Sequence, residues 1–145
     1  MEQRLDFNKA NPNAIKALLA LEDRIGRSSL EKNLTELVRL RASQINGCAF
    51  CVDMHTADAR RGGETDRRLA AVVVWRETPF FTERERAALE WTEAVTLVSQ
   101  NHVPDVVWDA VKPHFSDEEI VDLTLLVSAI NSWNRLAISF RKMPA

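Results

Sequence analysis

Glycine and proline are scarce in this chain, whose 145 residues include only 4 Gly and 5 Pro. Such a composition leaves little material for flexible linkers. Hydrophobic residues make up 46% of the chain, and a chain of this length can bury roughly 70% of its unfolded surface in one core. We therefore expect a single folded domain over residues 1–145.

A strong excess of either charge is also missing, because the formal net charge is -2. The long-range field that would concentrate a protein on phosphate backbones or on anionic lipid is therefore absent. Two arginine pairs, Arg60-Arg61 and Arg67-Arg68, are flanked by acidic residues and indicate a solvated face of mixed charge. We expect neither a nucleic acid nor a membrane as a partner.

Long apolar runs are lacking as well. The N-terminal residues are polar, without the apolar stretch of a signal peptide. The longest uncharged run covers residues 123–134, which is short of the roughly 18 apolar residues that a bilayer-spanning helix needs. These absences predict a cytoplasmic protein.

Cysteine is limited to Cys48 and Cys51, which form a CxxC motif. A reducing compartment does not use disulfides as structural staples, and two cysteines this close cannot crosslink distant parts of a chain. The pair therefore indicates chemistry rather than structural crosslinking.

The apolar residues recur mostly with helical spacing rather than with the alternation typical of strands. This pattern predicts an all-α, compact single-domain bundle of about seven helices. Their expected ranges are about 13–25, 30–45, 48–62, 65–75, 82–99, 103–113 and 116–140. Thr82 and Ser116 each begin a capping-box pattern, which marks a helix start. Val72, Val73 and Val74 also suit a short buried strand, although we favour helix.

The same pattern predicts where the apolar surfaces lie. The first helix is expected to turn four apolar residues inward, Ile15, Leu18, Leu19 and Ile25. The apolar stretch 123–130 of the last helix is expected to bury part of its surface between subunits of a homo-oligomer. Phe50 and Met54 could shape a pocket for an organic substrate, although packing in the core is favoured.

Glu36, Cys48, Cys51 and His55 bring the reactive side-chain types together in one short segment. On a helix of about 100° per residue, Cys51 lies about 60° from Cys48 and His55 about 40° from Cys51, so all three share one face. The Asn46-Gly47 turn predicts an active-site helical hairpin. Its antiparallel return places Glu36 and His55 at similar depths, where they could touch.

The start of a helix favours a thiolate, because free backbone N–H groups and the positive end of the helix dipole stabilise negative charge. His55, one turn after Cys51, can take up or return a proton, and the Glu36 carboxylate would orient its imidazole. A thiolate beside a second thiol is a two-electron redox pair. Cys48 is nearest the turn, where we expect solvent and a partner dithiol to reach it.

Each of these residues also has a less specific explanation. Cys48, Cys51, His55 and Glu36 could complete a four-ligand zinc shell, which is the main alternative to redox chemistry. His55 by itself could be a satisfied buried histidine, and Glu36 by itself could be an ion-pair partner of Arg39.

At these intervals the four residues resemble the signature of the alkylhydroperoxidase D-like (AhpD-like) proteins within the carboxymuconolactone decarboxylase superfamily. The likeness covers essentially the whole chain and is carried by residues 37–60, 75–96 and 131–141. It implies an all-α fold that assembles into trimers or hexamers, with a CxxC site that reduces peroxides and is re-reduced by a partner thiol system. It further implies that Cys51 forms the sulfenic acid and that Cys48 exchanges protons and disulfides.

The predicted function is a CxxC-dependent alkylhydroperoxidase whose catalytic residues are Cys51, Cys48, His55 and Glu36, without a cofactor or a metal ion. The expected partners are a hydroperoxide substrate and an external dithiol or lipoyl-type reductant. Lactone decarboxylation belongs to superfamily members without the cysteine pair, so the pair argues against that activity. The alternative is a redox sensor or binding module, in which the disulfide changes a partner interaction without turnover.

Overall fold

The fold is seen in a computed structural model that describes residues 1–144. Over these residues the chain is all-helical, as predicted, but it has nine α-helices and one 3-10 helix instead of about seven helices. The α-helices are α1 (Phe7–Ala10), α2 (Pro12–Gly26), α3 (Lys32–Asn46), α4 (Ala49–Arg61), α5 (Asp66–Ala71), α6 (Glu83–Thr96), α7 (Val98–Asn101), α8 (Asp105–Val111) and α9 (Asp117–Ser139). The 3-10 helix, Val72–Glu77, follows α5 directly.

The fourth predicted helix changes type at its valine cluster. The α-helix ends at Ala71, and within the 3-10 helix Val74 leaves the helical region, with φ -122° and ψ 29°. β-branched side chains lose χ1 freedom against the preceding helical turn, which lowers their preference for an α-helix. The segment is helical but not α-helical, and the alternative of a buried strand is wrong.

The starts of α6 and α9 are fixed by local sequence, as the capping-box patterns predict. The Thr82 hydroxyl accepts the Glu85 N–H at 3.2 Å, and the Glu85 carboxylate accepts the Thr82 N–H at 2.8 Å. In the same way, the Ser116 hydroxyl accepts the Glu119 N–H at 3.2 Å, and the Glu119 carboxylate accepts the Ser116 N–H at 3.0 Å. Each box satisfies two backbone donors that a helix start would otherwise leave free.

The core lies around α3, α6 and α9, which pack against one another. The larger apolar cluster joins Val38, Trp91 and Leu123 of these three helices to Ile25 of α2 and Val111 of α8. A second cluster on the other side of α3 includes Leu37, Leu40, Ala59, Val72 and Leu89. Burying each large apolar side chain contributes about 1.5–3 kcal/mol. None of the helices within residues 1–144 has the length and apolar character needed to cross a bilayer.

Two expectations about apolar surfaces are wrong. Leu19 of α2 is 53% exposed, because it lies on the solvent side of that helix. The 123–130 stretch of α9 is packed inside its own chain, and Leu126 at its centre is 0% exposed. The apolar side chains that α9 leaves exposed are instead Val121 and Ile138, at 60% and 45%. Most of the 123–130 stretch is therefore not available to a second subunit, and the homo-oligomer stays a prediction.

A sharp turn joins α3 to α4. Gly47 occupies the left-handed region with φ 70°, where a Cβ would be strained. The next residue, Cys48, donates its N–H to the Ser43 carbonyl at 3.0 Å and serves as the N-cap of α4. The helical hairpin that the Asn-Gly pair predicts is therefore present.

Buried amides attach this turn to α9. Asn46 donates from Nδ2 to Asn131 Oδ1 at 3.0 Å and to Asn134 Oδ1 at 2.8 Å. Asn134, which is fully buried, donates to Ser43 Oγ at 3.0 Å. Because unpaired buried amides are costly, these bonds fix the position of the turn and of the cysteine that follows it.

Candidate active site

The two cysteines form a disulfide between Cys48 and Cys51, so the structure shows the oxidised form of the motif. Cys48 Sγ accepts a hydrogen bond from the Cys51 N–H at 3.3 Å, as an N-cap side chain does. Both side chains are only 1% exposed, and they pack against Ala137 of α9 and Phe50. The sulfurs thus lie at the positive end of α4, where a thiolate is stabilised after reduction.

The surroundings of the two sulfurs differ in a way that the sequence did not indicate. We expected Cys48 to be reachable at the turn, and this is wrong: its side chain is buried and it does not line the cavity beside the motif. Cys51 does line that cavity. Access to the disulfide is therefore from the Cys51 side in this oxidised form.

His55 lies one turn after Cys51 on α4, and its ring is buried. Its Nδ1 is 2.9 Å from Glu36 Oε2 on α3, so the contact that the hairpin predicts is present. An ionised carboxylate can only accept a hydrogen bond, so the proton of this bond belongs to Nδ1. In the neutral ring Nε2 is then free to accept a proton, which is the arrangement a general base requires.

Glu36 has a second partner that sets its charge. Arg39 donates from Nη1 to Glu36 Oε1 at 2.7 Å. The Glu36–Arg39 ion pair, which the sequence offered as the simpler role of Glu36, therefore exists together with the contact to His55. Burial raises the pKa of Glu36, but the hydrogen bond from His55 and the positive charge of Arg39 lower it by more, so the pKa lies below its usual 4.5. Glu36 is therefore a carboxylate at neutral pH.

Arg39 in turn connects the site to α2. Its Nη2 donates to Glu22 Oε2 at 2.7 Å, and Glu22 Oε1 accepts the indole N–H of Trp133 at 3.0 Å. Four side chains thereby hold one another in place behind His55. They are Glu22 of α2, Glu36 and Arg39 of α3, and Trp133 of α9. Orientation of the base by such a fixed carboxylate is what an activated thiol needs.

A cavity of about 370 Å³ opens beside these residues and is lined by both Cys51 and His55. Its apolar lining includes Phe50, Met54 and Trp133. Although the sequence favours core packing for Phe50 and Met54, Met54 is 38% exposed, and both residues line the cavity. A volume of this size admits a small organic molecule.

The carboxymuconolactone decarboxylase family model matches residues 12–94, which contain α2, the cysteine motif and most of α6. This chain belongs to the carboxymuconolactone decarboxylase family. The resemblance drawn from Glu36, Cys48, Cys51 and His55 is thereby confirmed for the family.

Individual members of the family are similar over different lengths. YdfG of Bacillus subtilis, an uncharacterized protein, is 42% identical over 139 residues, 96% of this chain and 95% of YdfG. ATU0492 of Agrobacterium tumefaciens, a protein of unknown function suggested to be an antioxidant defence protein AhpD, has a crystal structure that matches with a TM-score of 0.97. It is 46% identical and the match covers 99% of both chains. The alkyl hydroperoxide reductase AhpD of Hyphomonas neptunium is 41% identical over 49 residues, 34% of this chain and 27% of that protein.

Sequence reasoning missed two residues of this AhpD-like site, Glu22 and Trp133. The Glu36-Arg39 spacing could be recognised because residues three apart are neighbours on a helix. Glu22 and Trp133 carried no such signal, since their bond joins helices that are far apart in the sequence.

In the oxidised form of the motif, the four residues do not form the zinc shell of the alternative explanation. The sulfurs of Cys48 and Cys51 are bonded to each other and cannot both serve as thiolate ligands. Ligand atoms of Glu36, His55 and Asp58 do lie within 4.8 Å of one another. Glu36 is already paired with Arg39, however, and Asp58 is paired with Arg61.

Proposed function

We propose that this protein is a CxxC-dependent alkylhydroperoxidase. The observation that carries the proposal is that Cys51, half of a disulfide, lines the same cavity as His55, whose Nδ1 is held by Glu36. A reactive sulfur, a proton carrier and room for an organic substrate therefore meet in one place.

The cycle starts from the reduced pair. The Cys51 thiolate attacks the terminal oxygen of the hydroperoxide, the O–O bond breaks, and the sulfur becomes a sulfenic acid. The leaving alkoxide takes a proton and departs as an alcohol. The His55 imidazole, having taken up the Cys51 thiol proton, is the group placed to supply that proton, and Glu36 orients the ring through Nδ1.

The second half closes the disulfide. The Cys48 thiolate attacks the sulfenic sulfur of Cys51, the S–O bond breaks, and the hydroxide leaves as water after taking a proton. The product is the Cys48–Cys51 disulfide, which is the form seen in the structure. An external dithiol, such as a lipoyl-type carrier, returns two electrons and is itself oxidised to a disulfide.

Family membership and the similarity to ATU0492 support a thiol-based antioxidant reaction, since a role as AhpD has been suggested for that protein. The local identity to the Hyphomonas neptunium AhpD also supports the peroxide as substrate. The proposal includes a homotrimeric or homohexameric assembly working in the cytoplasm.

Steady-state kinetics test the proposal. Purified protein is supplied with cumene hydroperoxide and, in separate assays, with dihydrolipoamide, thioredoxin or glutathione. We expect continuous peroxide consumption with a dithiol, and none with Cys51→Ser. Consumption of a single equivalent without turnover under every reductant would contradict the peroxidase and favour the redox sensor.

A further inference from the structure

We propose that the cavity beside Cys51 takes an organic hydroperoxide that carries a carboxylate, and that the ammonium group of Lys142 binds this carboxylate. The identity of the reacting end rests on the proposed peroxidase function. The anion site is argued independently, from the charges that line the cavity.

The charged side chains around the cavity are paired with one exception. Arg39 is shared between Glu22 and Glu36, and Asp58 is paired with Arg61. Lys142 also lines the cavity, and no carboxylate within residues 1–144 forms an ion pair with it. Glu22 and Glu36 together carry one negative charge more than Arg39, so an anionic ligand is favoured only beside Lys142, the cation of the lining with which no carboxylate of residues 1–144 pairs.

Aromatic rings hold this ammonium beside the site. Lys142 Nζ lies 4.2 Å from the ring centre of Phe50 and 5.4 Å from that of Phe7. The Lys142 N–H also donates to the Ala137 carbonyl at 2.9 Å, which attaches the residue to the end of α9. Cation–π contacts orient an ammonium group without neutralising its charge, so a carboxylate gains both the charge and the defined position.

Lys142 and Cys51 both line the cavity, which suits a substrate with two functional ends. Phe50, beneath the ammonium, directly precedes Cys51 and packs against the cysteine pair. Apolar side chains such as Met54 and Trp133 line the same cavity and suit the hydrocarbon part of a ligand. The hydroperoxide would lie at Cys51 and the carboxylate at Lys142, with the apolar body between them.

A matched pair of peroxides tests the assignment: cumene hydroperoxide with a 4-carboxylate, and the methyl ester of the same molecule. Oxidation of fully pre-reduced protein is followed in a single turnover, so that no reductant competes for the anion site. We expect the wild-type rate constant for the acid to exceed that for the ester by about tenfold, as a charged hydrogen bond provides. In Lys142→Met this ratio falls to about one, and in Lys142→Glu the acid becomes the poorer substrate.

Lys112→Met is the matched control, because Lys112 also lies over an aromatic ring, that of Trp108, but does not line the cavity. It should keep the wild-type ratio. A wild-type ratio near one, or an unchanged ratio in Lys142→Met, would overturn the proposal. So would equal slowing of both peroxides in Lys142→Met together with a shift of Cys51 alkylation to higher pH, since Lys142 would then act on the thiolate.

A binding measurement separates failure of this inference from failure of the peroxidase function. Calorimetric titration of the oxidised protein uses 4-isopropylbenzoate and its methyl ester, neither of which can react. If no peroxide is consumed but the wild type binds the carboxylate more tightly than the ester, and Lys142→Met loses this difference, the anion site stands without the peroxidase. Equal binding of both compounds by the wild type would overturn the anion site.

Discussion

Arg39 joins α3 to α2 through a bond from its Nη2 to Glu22 Oε2 of 2.7 Å. The same guanidinium holds Glu36, the carboxylate that contacts His55. Less than a quarter of each of the Arg39 and Glu22 side chains is exposed, so solvent screens their interaction less than it screens a surface pair. The orientation of the proposed proton carrier therefore depends on a helix that contributes no atom to the reaction.

Replacing Arg39 with Met should weaken both the fold and the relay. Two partly buried carboxylates would lose their shared donor, which costs about 1–3 kcal/mol. Urea denaturation measures this loss. Without Arg39 the pKa of Glu36 should rise. The pH midpoint for alkylation of reduced Cys51 by iodoacetamide should then differ from that of the wild type. Arg39→Lys is the control that keeps the charge, and it should recover part of the wild-type pH profile. If the profile of Arg39→Met matched the wild type, Arg39 would be only structural.

Replacing His55 or Glu36 with Gln should raise the pH at which Cys51 becomes reactive, because both are proposed to favour its thiolate. Proton-transfer partners of this kind contribute about 100-fold or more to a rate. The alkylation rate of the reduced protein, measured against pH, checks the shift, and circular dichroism checks that each variant is folded. Profiles unchanged in both variants would leave the helix start as the only source of activation.

The two cysteines should divide the labour of the cycle. Cys48→Ser should still consume one equivalent of peroxide and accumulate a sulfenic acid on Cys51, which lines the cavity, without turning over. Cys51→Ser should not consume even that equivalent. Mass spectrometry of dimedone adducts distinguishes the two cases. A dimedone adduct on Cys48 in Cys51→Ser that forms as fast as the Cys51 adduct in the converse variant would reverse the assignment or make the cysteines equivalent.

Two glycines offer a matched test of the hairpin. Gly47→Ala should destabilise the protein by about 1–2 kcal/mol, because φ is 70° there and an L-residue is strained in the left-handed region. Gly26→Ala meets no atom within 4 Å and no such φ, so it should be neutral or stabilise by up to about 1 kcal/mol. Thermal and urea unfolding measure the change in unfolding free energy for each variant. Equal changes in the two variants would contradict the left-handed turn at Gly47.

Acid should destabilise the protein partly through Glu93, which is remote from the cysteines. Burial raises the pKa of Glu93, but hydrogen bonds from Arg76, Trp75 and Arg41 lower it by more, to below its usual 4.5. A carboxyl whose pKa is lower in the folded state than in the unfolded state stabilises the fold at pH values above 4.5. It loses this contribution as the pH falls through the folded-state pKa. Glu93→Gln should therefore be less stable than the wild type at neutral pH. Its urea midpoint should fall less on acidification, and parallel curves for the two proteins would contradict this.

The helices and the cysteine motif could be predicted because their signals are local. Apolar spacing, the capping boxes at Thr82 and Ser116 and the Asn-Gly turn all act over a few residues. The Glu36–His55 contact also followed from sequence, since a tight turn sets the register of two adjacent helices.

Tertiary packing decided what surrounds that motif. Glu22, Trp133 and Lys142 reach the site from α2 and from α9 and the segment after it, and no periodicity relates residues so far apart in the sequence. Packing also buried Cys48 beside α9 and left Cys51 at the cavity, although both occupy the start of the same helix. Local sequence determines which face of a helix is apolar, but the side chain that meets that face depends on how all the helices are assembled.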